Sequence, residues 1–169
     1  ICFGCVFYAY VLYPILLGLF AKWRSKAVRR EVGFRAETTV LLAAFNEAAT
    51  IRRRVEEFVL LMQRSGVSGE VLVVSDGSSD ETTTIVEQLI AEQSADGAAP
   101  RIQLLALPRN QGKAAALTEG GKAATGEIIV LADARQIWAE DAIVQLLENF
   151  ADPAVGAVSG ELMLEAAPG

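Results

Sequence analysis

An α/β fold, with a mainly parallel sheet, helices on both faces and one transmembrane helix in front, is predicted from three observations. Short apolar runs beginning at Thr38, Val71, Ile102, Glu127 and Val155 alternate with stretches of helical periodicity, the mark of successive βαβ units. The runs are nearly continuous rather than alternating, as in strands buried on both faces. Residues 1–21 carry no charge, and at about 1.5 Å per helical residue they reach roughly 30 Å, a hydrocarbon thickness.

The first element is therefore read as a transmembrane helix over residues 1–21, with Pro14 and Gly18 tolerated there. A signal-peptide core is the competing reading, but such cores carry their positive charge ahead of the apolar run. Here Lys22, Arg24, Lys26, Arg29 and Arg30 follow it, which places the rest of the chain in the cytoplasm. Residues 22–37 form a basic juxtamembrane linker suited to membrane lipids with anionic headgroups. The net charge of −6 hides this polarity: residues 22–35 hold six of the 15 Lys and Arg but one of the 21 Asp and Glu. The remainder, with nine basic against twenty acidic residues, excludes nucleic acid as the main partner. Cys2 and Cys5, the only two cysteines, lie inside the apolar helix and are read as small membrane-facing residues. With no histidine in the sequence, Ser-His-Asp and Cys-His catalysis and His-ligated metal are excluded within these residues. The chain begins at Ile1, stops at Pro168-Gly169, and is read as an N-terminal piece of a longer protein.

The strands and helices follow in order. Residues 38–45 are the first strand, closed by Asn46-Glu47. Ile51, Val55, Phe58, Val59 and Met62 then mark one helix face, with Arg52, Arg53 and Arg54 read as a mostly solvated surface. Val71-Leu72-Val73-Val74 is a second strand, broken at Gly77, and Ser78 with Glu81 fits a capping box opening the next helix. That helix presents Ile85, Val86, Leu89 and Ile90. Residues 102–107 are a third strand ended by Pro108, and an Ala- and Gly-rich helix from about Ala114 to Ala124 can pack close to the sheet. Residues 127–132 are a fourth strand ending at Asp133. A helix from about Ala139 groups Ile143, Leu146, Leu147 and Phe150, and residues 155–160 are a fifth strand.

The chemistry lies where these strands end. Phe45-Asn46-Glu47, Asp76-Gly77, Asn110-Gln111-Gly112-Lys113 and Asp133 converge on one edge if the sheet is parallel, the edge where open α/β sheets bind ligands. An aromatic, carboxylates and a lysine together suit a base, a sugar and a phosphate. Singly, each has a plainer reading: Glu47 as a complement to a helix N-terminus, Asp76 and Asp80 as caps, Lys113 as a surface residue after a turn. Leu107 and Ala114 stand where a P-loop requires glycine and Ser or Thr, no G-x-G-x-x-G follows the first strand, and no G-x-S-x-G occurs.

Taken in order, Ala44-Phe45-Asn46-Glu47, Asp76-Gly77-Ser78-Ser79-Asp80, Asn110-Gln111-Gly112-Lys113 and Ala124-Thr125-Gly126-Glu127-Ile128-Ile129 leading to Asp133 resemble the motifs of family-2 glycosyltransferases. The resemblance runs from about Thr38 to Leu164. It implies a GT-A (Rossmann-like) fold, with residues 38–169 as an incomplete nucleotide-sugar-binding domain. It also implies an inverting hexosyl transfer from a nucleotide-sugar donor, usually a UDP-sugar. Ala44, Phe45 and Glu47 would line the nucleoside pocket, Asp76 would hydrogen-bond the base, and Lys113 would approach the nucleotide. Asp133 takes the first position of the family's D-x-D, which binds donor ribose and a divalent metal, Mg²⁺ or Mn²⁺.

The sequence departs from that pattern at Asp133-Ala134-Arg135, where arginine replaces the second aspartate. Three readings stay open: Asp133 with diphosphate oxygens and water holds the metal, Arg135 itself neutralises the diphosphate, or the site is inactive. The general base is expected beyond Gly169. The resulting expectation is a membrane-anchored enzyme of polysaccharide biosynthesis, passing sugar to a glycan or lipid-linked acceptor at the cytoplasmic face. A nucleotidyltransferase and a catalytically inactive, membrane-tethered nucleotide-sugar-binding protein are the rivals.

Overall fold

The computed structural model describes residues 2–24, 26–96, 100–134 and 136–161. Its N-terminal helix runs as α1 (Cys2–Phe7), a π-helical stretch (Tyr8–Leu12) and α2 (Tyr13–Arg24). The π stretch lies just before Pro14, whose missing N–H and ring disturb the regular ladder of the turn before it; Tyr13 N–H reaches back to the Tyr8 carbonyl. From Phe3 to Arg24 the helix has a mean hydropathy of 1.9, and none of its apolar window is buried among the described residues; it is long and apolar enough to cross a membrane.

The sheet has four parallel strands, β1 (Thr38–Ala44), β2 (Gly69–Asp76), β3 (Arg101–Leu107) and β4 (Ile128–Asp133), in the order β3-β2-β1-β4. Helices α3 (Ile51–Arg64), α4 (Thr82–Asp96), α5 (Lys113–Ala123) and α6 (Ala142–Leu147) connect and flank it. Side chains alternate across each strand, so the two faces have separate cores. Val40, Leu42, Val71 and Val73 meet Ile51, Val55 and Phe58 of α3, Val86 and Leu89 of α4, and Ile143 and Leu147 of α6. Leu41, Leu72 and Val74 meet Ala116 of α5 on the opposite face. The small residues of α5 allow this close approach: a Cβ at Gly120 would run into the side chains of Leu41 and Val74. On that face α5 does not cover β4, whose Leu131 is 59% exposed.

The ends of the strands opposite the cleft are tied by a buried carboxylate. Glu70 accepts hydrogen bonds from the Thr39 hydroxyl at 2.8 Å, the Gln103 amide at 2.5 Å and the Thr125 N–H at 2.8 Å. Burial alone would push its carboxyl up, but the Thr125 N–H and the Thr39 hydroxyl outweigh that and hold it below its ordinary value.

Four sequence expectations are corrected. Arg54 does not lie on a solvated surface; it is 2% exposed, because it falls between Ile51 and Phe58 on the buried stripe of α3. The second of these concerns α4, which begins at Thr82, and its cap is Asp80 rather than Ser78: Asp80 Oδ1 accepts from Thr82 N–H at 3.0 Å and from the Thr82 hydroxyl. Those bonds hold the Asp80 carboxyl below its ordinary value, the hydroxyl contributing most. Helix α6 is shorter than expected, tightening into a 3-10 turn at Glu148–Ala151 before Pro153, which cannot continue a helix. Finally, residues 155–160 form no strand; they face β4 across an open groove, without the ladder of hydrogen bonds a strand requires.

The basic linker is not loose. Arg30 makes a double hydrogen bond to Glu148 Oε2 at 2.9 and 2.7 Å, and Gly33 N–H donates to Glu148 Oε1 at 3.0 Å. Arg29 N–H donates to Asp152 Oδ2 at 3.1 Å, and its guanidinium donates to the Ala151 carbonyl at 2.7 Å. The Gly33 N–H first, and then Arg30, keep the Glu148 carboxyl below its ordinary value. Arg29 and Arg30 are thus tied to the C-terminal end of the fold, with the Arg30 side chain still 49% exposed.

Candidate functional site

Strand order dictates where a cleft can form. From β1 the chain steps outward to β2 and β3, then returns to place β4 on the other side of β1. α3 covers one face and α5 the other, so the β1–β4 junction is the reversal point, outside whose carboxyl ends open α/β sheets bind ligands. A cleft of about 350 Å³ opens there. Ala44, Phe45, Glu47, Asp76, Lys113 and Asp133, the six donor-binding residues chosen from the sequence, all line it. The lining also takes in Ala43, Asn110, Gly112, Ala116 and Ala134. Arg135 lies outside the described residues.

Each wall has a local cause. After β1 the backbone turns through Asn46 at φ 54°, a left-handed conformation asparagine tolerates better than most residues. Asn46 Oδ1 accepts from Ser79 N–H at 2.9 Å, and Asn46 N–H donates to the Ser78 hydroxyl at 3.2 Å. Glu47 N–H donates to the Thr82 hydroxyl at 2.9 Å, and Ala48 N–H to Asp80 Oδ2 at 3.0 Å. The Ser-Ser-Asp run after Asp76 thus locks the β1 turn to the β2 turn. Phe45 is left half open to solvent beside the cleft. Glu47 accepts from the Thr50 hydroxyl at 3.0 Å.

Asp76 is 3% exposed. Its two carboxylate oxygens accept from Gln111 N–H and Gly112 N–H, each at 2.8 Å, fastening the loop that leads into α5. Each carboxylate oxygen has a second lone pair, so these bonds leave acceptor capacity on the cleft side. Asp133 pairs in register with Ala43 of β1 and so emerges on the α5 face. Lys113, the first residue of α5, places its ammonium 2.6 Å from Asp133 Oδ2. Two carboxylates consequently bracket one helix N-terminus, where backbone N–H groups and the helix dipole favour an anion.

Among the described residues no group of three or more His, Cys, Asp or Glu is arranged to hold a metal. Three carboxylates, Glu47, Asp76 and Asp133, line the cleft, with Asp76 bound by the amides of the α5 loop and Asp133 paired with Lys113. Such a donor set does not suit a cage built from protein alone. It suits a hard cation that keeps water ligands and takes the rest from a bound diphosphate, as Mg²⁺ commonly does.

Arg54, outside the residues expected at the site, donates its Nε to the Ala134 carbonyl at 3.1 Å from the far side of the sheet. Its helical spacing from Ile51 and Phe58 was the available signal.

The model of the family described as glycosyl transferase family 2 matches residues 39–165. A poly-beta-1,6-N-acetyl-D-glucosamine synthase of Staphylococcus aureus is 33% identical over 123 residues, 72% of this chain and 27% of that protein. A dolichyl-phosphate beta-glucosyltransferase of Trichomonas vaginalis is 34% identical over 102 residues, 57% of this chain and 28% of that protein. Among solved structures, a mannosyltransferase of Pyrobaculum calidifontis, in complex with GDP-Man and Mn²⁺, superposes with a TM-score of 0.68 at 30% identity. That match covers 90% of this chain and 44% of the mannosyltransferase. The chain thus spans about a quarter of the length of these curated relatives.

Proposed function

The chain belongs to glycosyl transferase family 2, and on that premise we propose that the cleft at the β1–β4 junction binds the nucleotide-sugar donor of an inverting sugar transfer. The carrying observation is the convergence of four strand ends, with Asp76 and Asp133 flanking the N-terminus of α5. Phe45 stacks on the base, and Asp76 accepts from it through its remaining lone pairs. The diphosphate sits over the first turn of α5, where Lys113 leaves Asp133 and pairs with phosphate. That exchange frees the Asp133 carboxylate for the ribose and a divalent cation. The cation, when bound, stabilises the charge that develops on the leaving nucleoside diphosphate.

The relatives act on glycans and a lipid phosphate by their names, and we extend to this chain a polysaccharide or lipid-linked acceptor at the cytoplasmic membrane face. The apolar helix from Phe3 to Arg24, followed by basic residues, supports that placement. Residues 1–21 act as the anchor, 22–37 as the linker and 38–169 as the donor-binding part of the catalytic domain.

The test is transfer or hydrolysis of radiolabelled UDP-sugars, then GDP-Man, by the full-length protein in membranes, with Mn²⁺, with Mg²⁺ and with chelator. Turnover that needs a divalent ion is expected. Nucleotide binding with no turnover under any condition would favour a donor-binding protein without catalysis. Absence of both binding and turnover would refute the reading.

A further inference from the structure

We propose that Arg54 is a positioning residue that holds the Asp133-bearing end of β4 from behind the cleft. The inference rests on the donor-site reading for what Asp133 does, and on geometry alone for how Asp133 is held. Arg54 projects from the buried face of α3, and it is among the largest fully buried side chains of the described residues. A guanidinium taken out of water requires paired hydrogen bonds. Arg54 makes one ion pair, to Glu57 Oε2 at 2.6 Å, and spends its Nε on the Ala134 carbonyl.

Ala134 is itself buried, so without Arg54 its carbonyl would lose this partner in a place water does not easily reach. That carbonyl belongs to the peptide immediately following Asp133-Ala134, where the strand exits into a turn closed by Gln136 N–H donating to the Asp133 carbonyl at 3.3 Å. One helical turn further along α3, Phe58 meets the ring of Trp138 edge-on, with centroids 5.4 Å apart at 80°. Arg54 and Phe58 therefore grip the segment after β4 near both its ends. Among the described residues no strand pairs with the outer side of β4, since residues 155–160 do not. A cation beneath the strand end also costs the site nothing in access, since it approaches from the face opposite Lys113.

The experiment compares full-length wild type with Arg54→Met and Arg54→Lys in detergent micelles. Amide hydrogen exchange should quicken about tenfold or more over residues 133–138 in Arg54→Met while the β2 peptide at 69–76 keeps its protection. The Mn²⁺ concentration needed for half-maximal nucleoside diphosphate binding should rise about 10- to 100-fold, the usual effect of removing a group that orients a ligand. Binding of the nucleoside alone, without metal, should be unchanged. Arg54→Lys, which keeps a cation beside Glu57 and one donor, should fall between the two and carries the comparison if Arg54→Met does not accumulate. Equal quickening in both peptides would reduce Arg54 to a general core residue and overturn the proposal, as would an unshifted Mn²⁺ midpoint. A wild type that binds no nucleoside diphosphate would overturn the donor-site reading, while the exchange comparison would still decide whether Arg54 holds this segment.

Discussion

Gly77→Ala tests the architecture of the cleft at its tightest point. Gly77 has φ +63°, and an alanine there costs about 1–2 kcal/mol in conformation alone. The added Cβ would also lie 2.6 Å from Arg109 Cα and overlap neighbouring backbone atoms of Arg109 and Asn110. No rotamer relieves a clash with backbone, so the loop must retreat by roughly 1.1 Å to bring the nearest of these atoms to ordinary contact near 3.4 Å. The same loop carries the Gln111 and Gly112 amides, each 2.8 Å from Asp76. A retreat of that size takes both past about 3.5 Å, where a hydrogen bond is effectively lost. Each bond to a charged acceptor contributes about 1.5–3 kcal/mol, partly recovered as Asp76 gains water. The net expectation is a loss of about 3–5 kcal/mol, a large share of a domain's ordinary 5–15 kcal/mol. Urea unfolding of the full chain in micelles, followed by tryptophan fluorescence, measures it, with nucleotide titration in parallel. A loss of only about 1–2 kcal/mol with unchanged nucleotide affinity would mean that the loop and Asp76 are not rigidly coupled, and the argument would fail.

Three other outcomes are expected. Asp133→Asn should leave stability within about 0.5 kcal/mol, since its pair with Lys113 is exposed, yet abolish any metal-stimulated transfer; retained stimulation would remove Asp133 from the metal's ligands. Glu70→Gln should cost about 2–4 kcal/mol at neutral pH through the loss of bonds to a charged acceptor. Because the folded carboxyl of Glu70 is held below its ordinary value, its stabilisation is complete above the unfolded value near 4.3 and is lost as pH falls through the folded one, so the gap to the variant should close in acid. A gap that stays constant as the pH is lowered through the acid range would refute the assignment. Glu148→Gln should loosen the linker, seen as faster trypsin cleavage at Arg29 and Arg30 with the β-sheet core still resistant; equal cleavage rates would show that the contacts with Arg30 do not restrain it.

The strand ends were legible in the sequence because a buried parallel strand is a short apolar run with a polar residue at its close, and the fold aligns those closes. Phe45, Asp76, Lys113 and Asp133 could be picked out for that reason. What the side chains do there was less legible. Asp76 reads as a ligand contact, yet its first partners are the amides before α5, which come from a loop more than thirty residues away. Ser78 and Glu81 have the spacing of a capping box, but Asp80 is nearer to the Thr82 amide and also reaches Ala48 from another turn. Arg54 in a run of three arginines looks like surface until the helical angle is counted from Ile51. Residues 155–160 have strand composition, but a strand exists only by virtue of its neighbour, and composition does not supply one.

If the apolar helix spans a membrane as proposed, the clasp of residues 29–33 on Glu148 and Asp152 sets how far the cleft can travel from the bilayer. From Arg24, where the apolar helix ends, to Arg29 the chain can stretch about 18 Å at most; if it were first held at Thr38, the leash would be about 50 Å. The space open to the domain scales with the cube of that length, so the clasp shrinks it about twentyfold. For an acceptor confined to the membrane, a shorter leash acts as a higher local concentration of enzyme, gained without any contact to the acceptor itself.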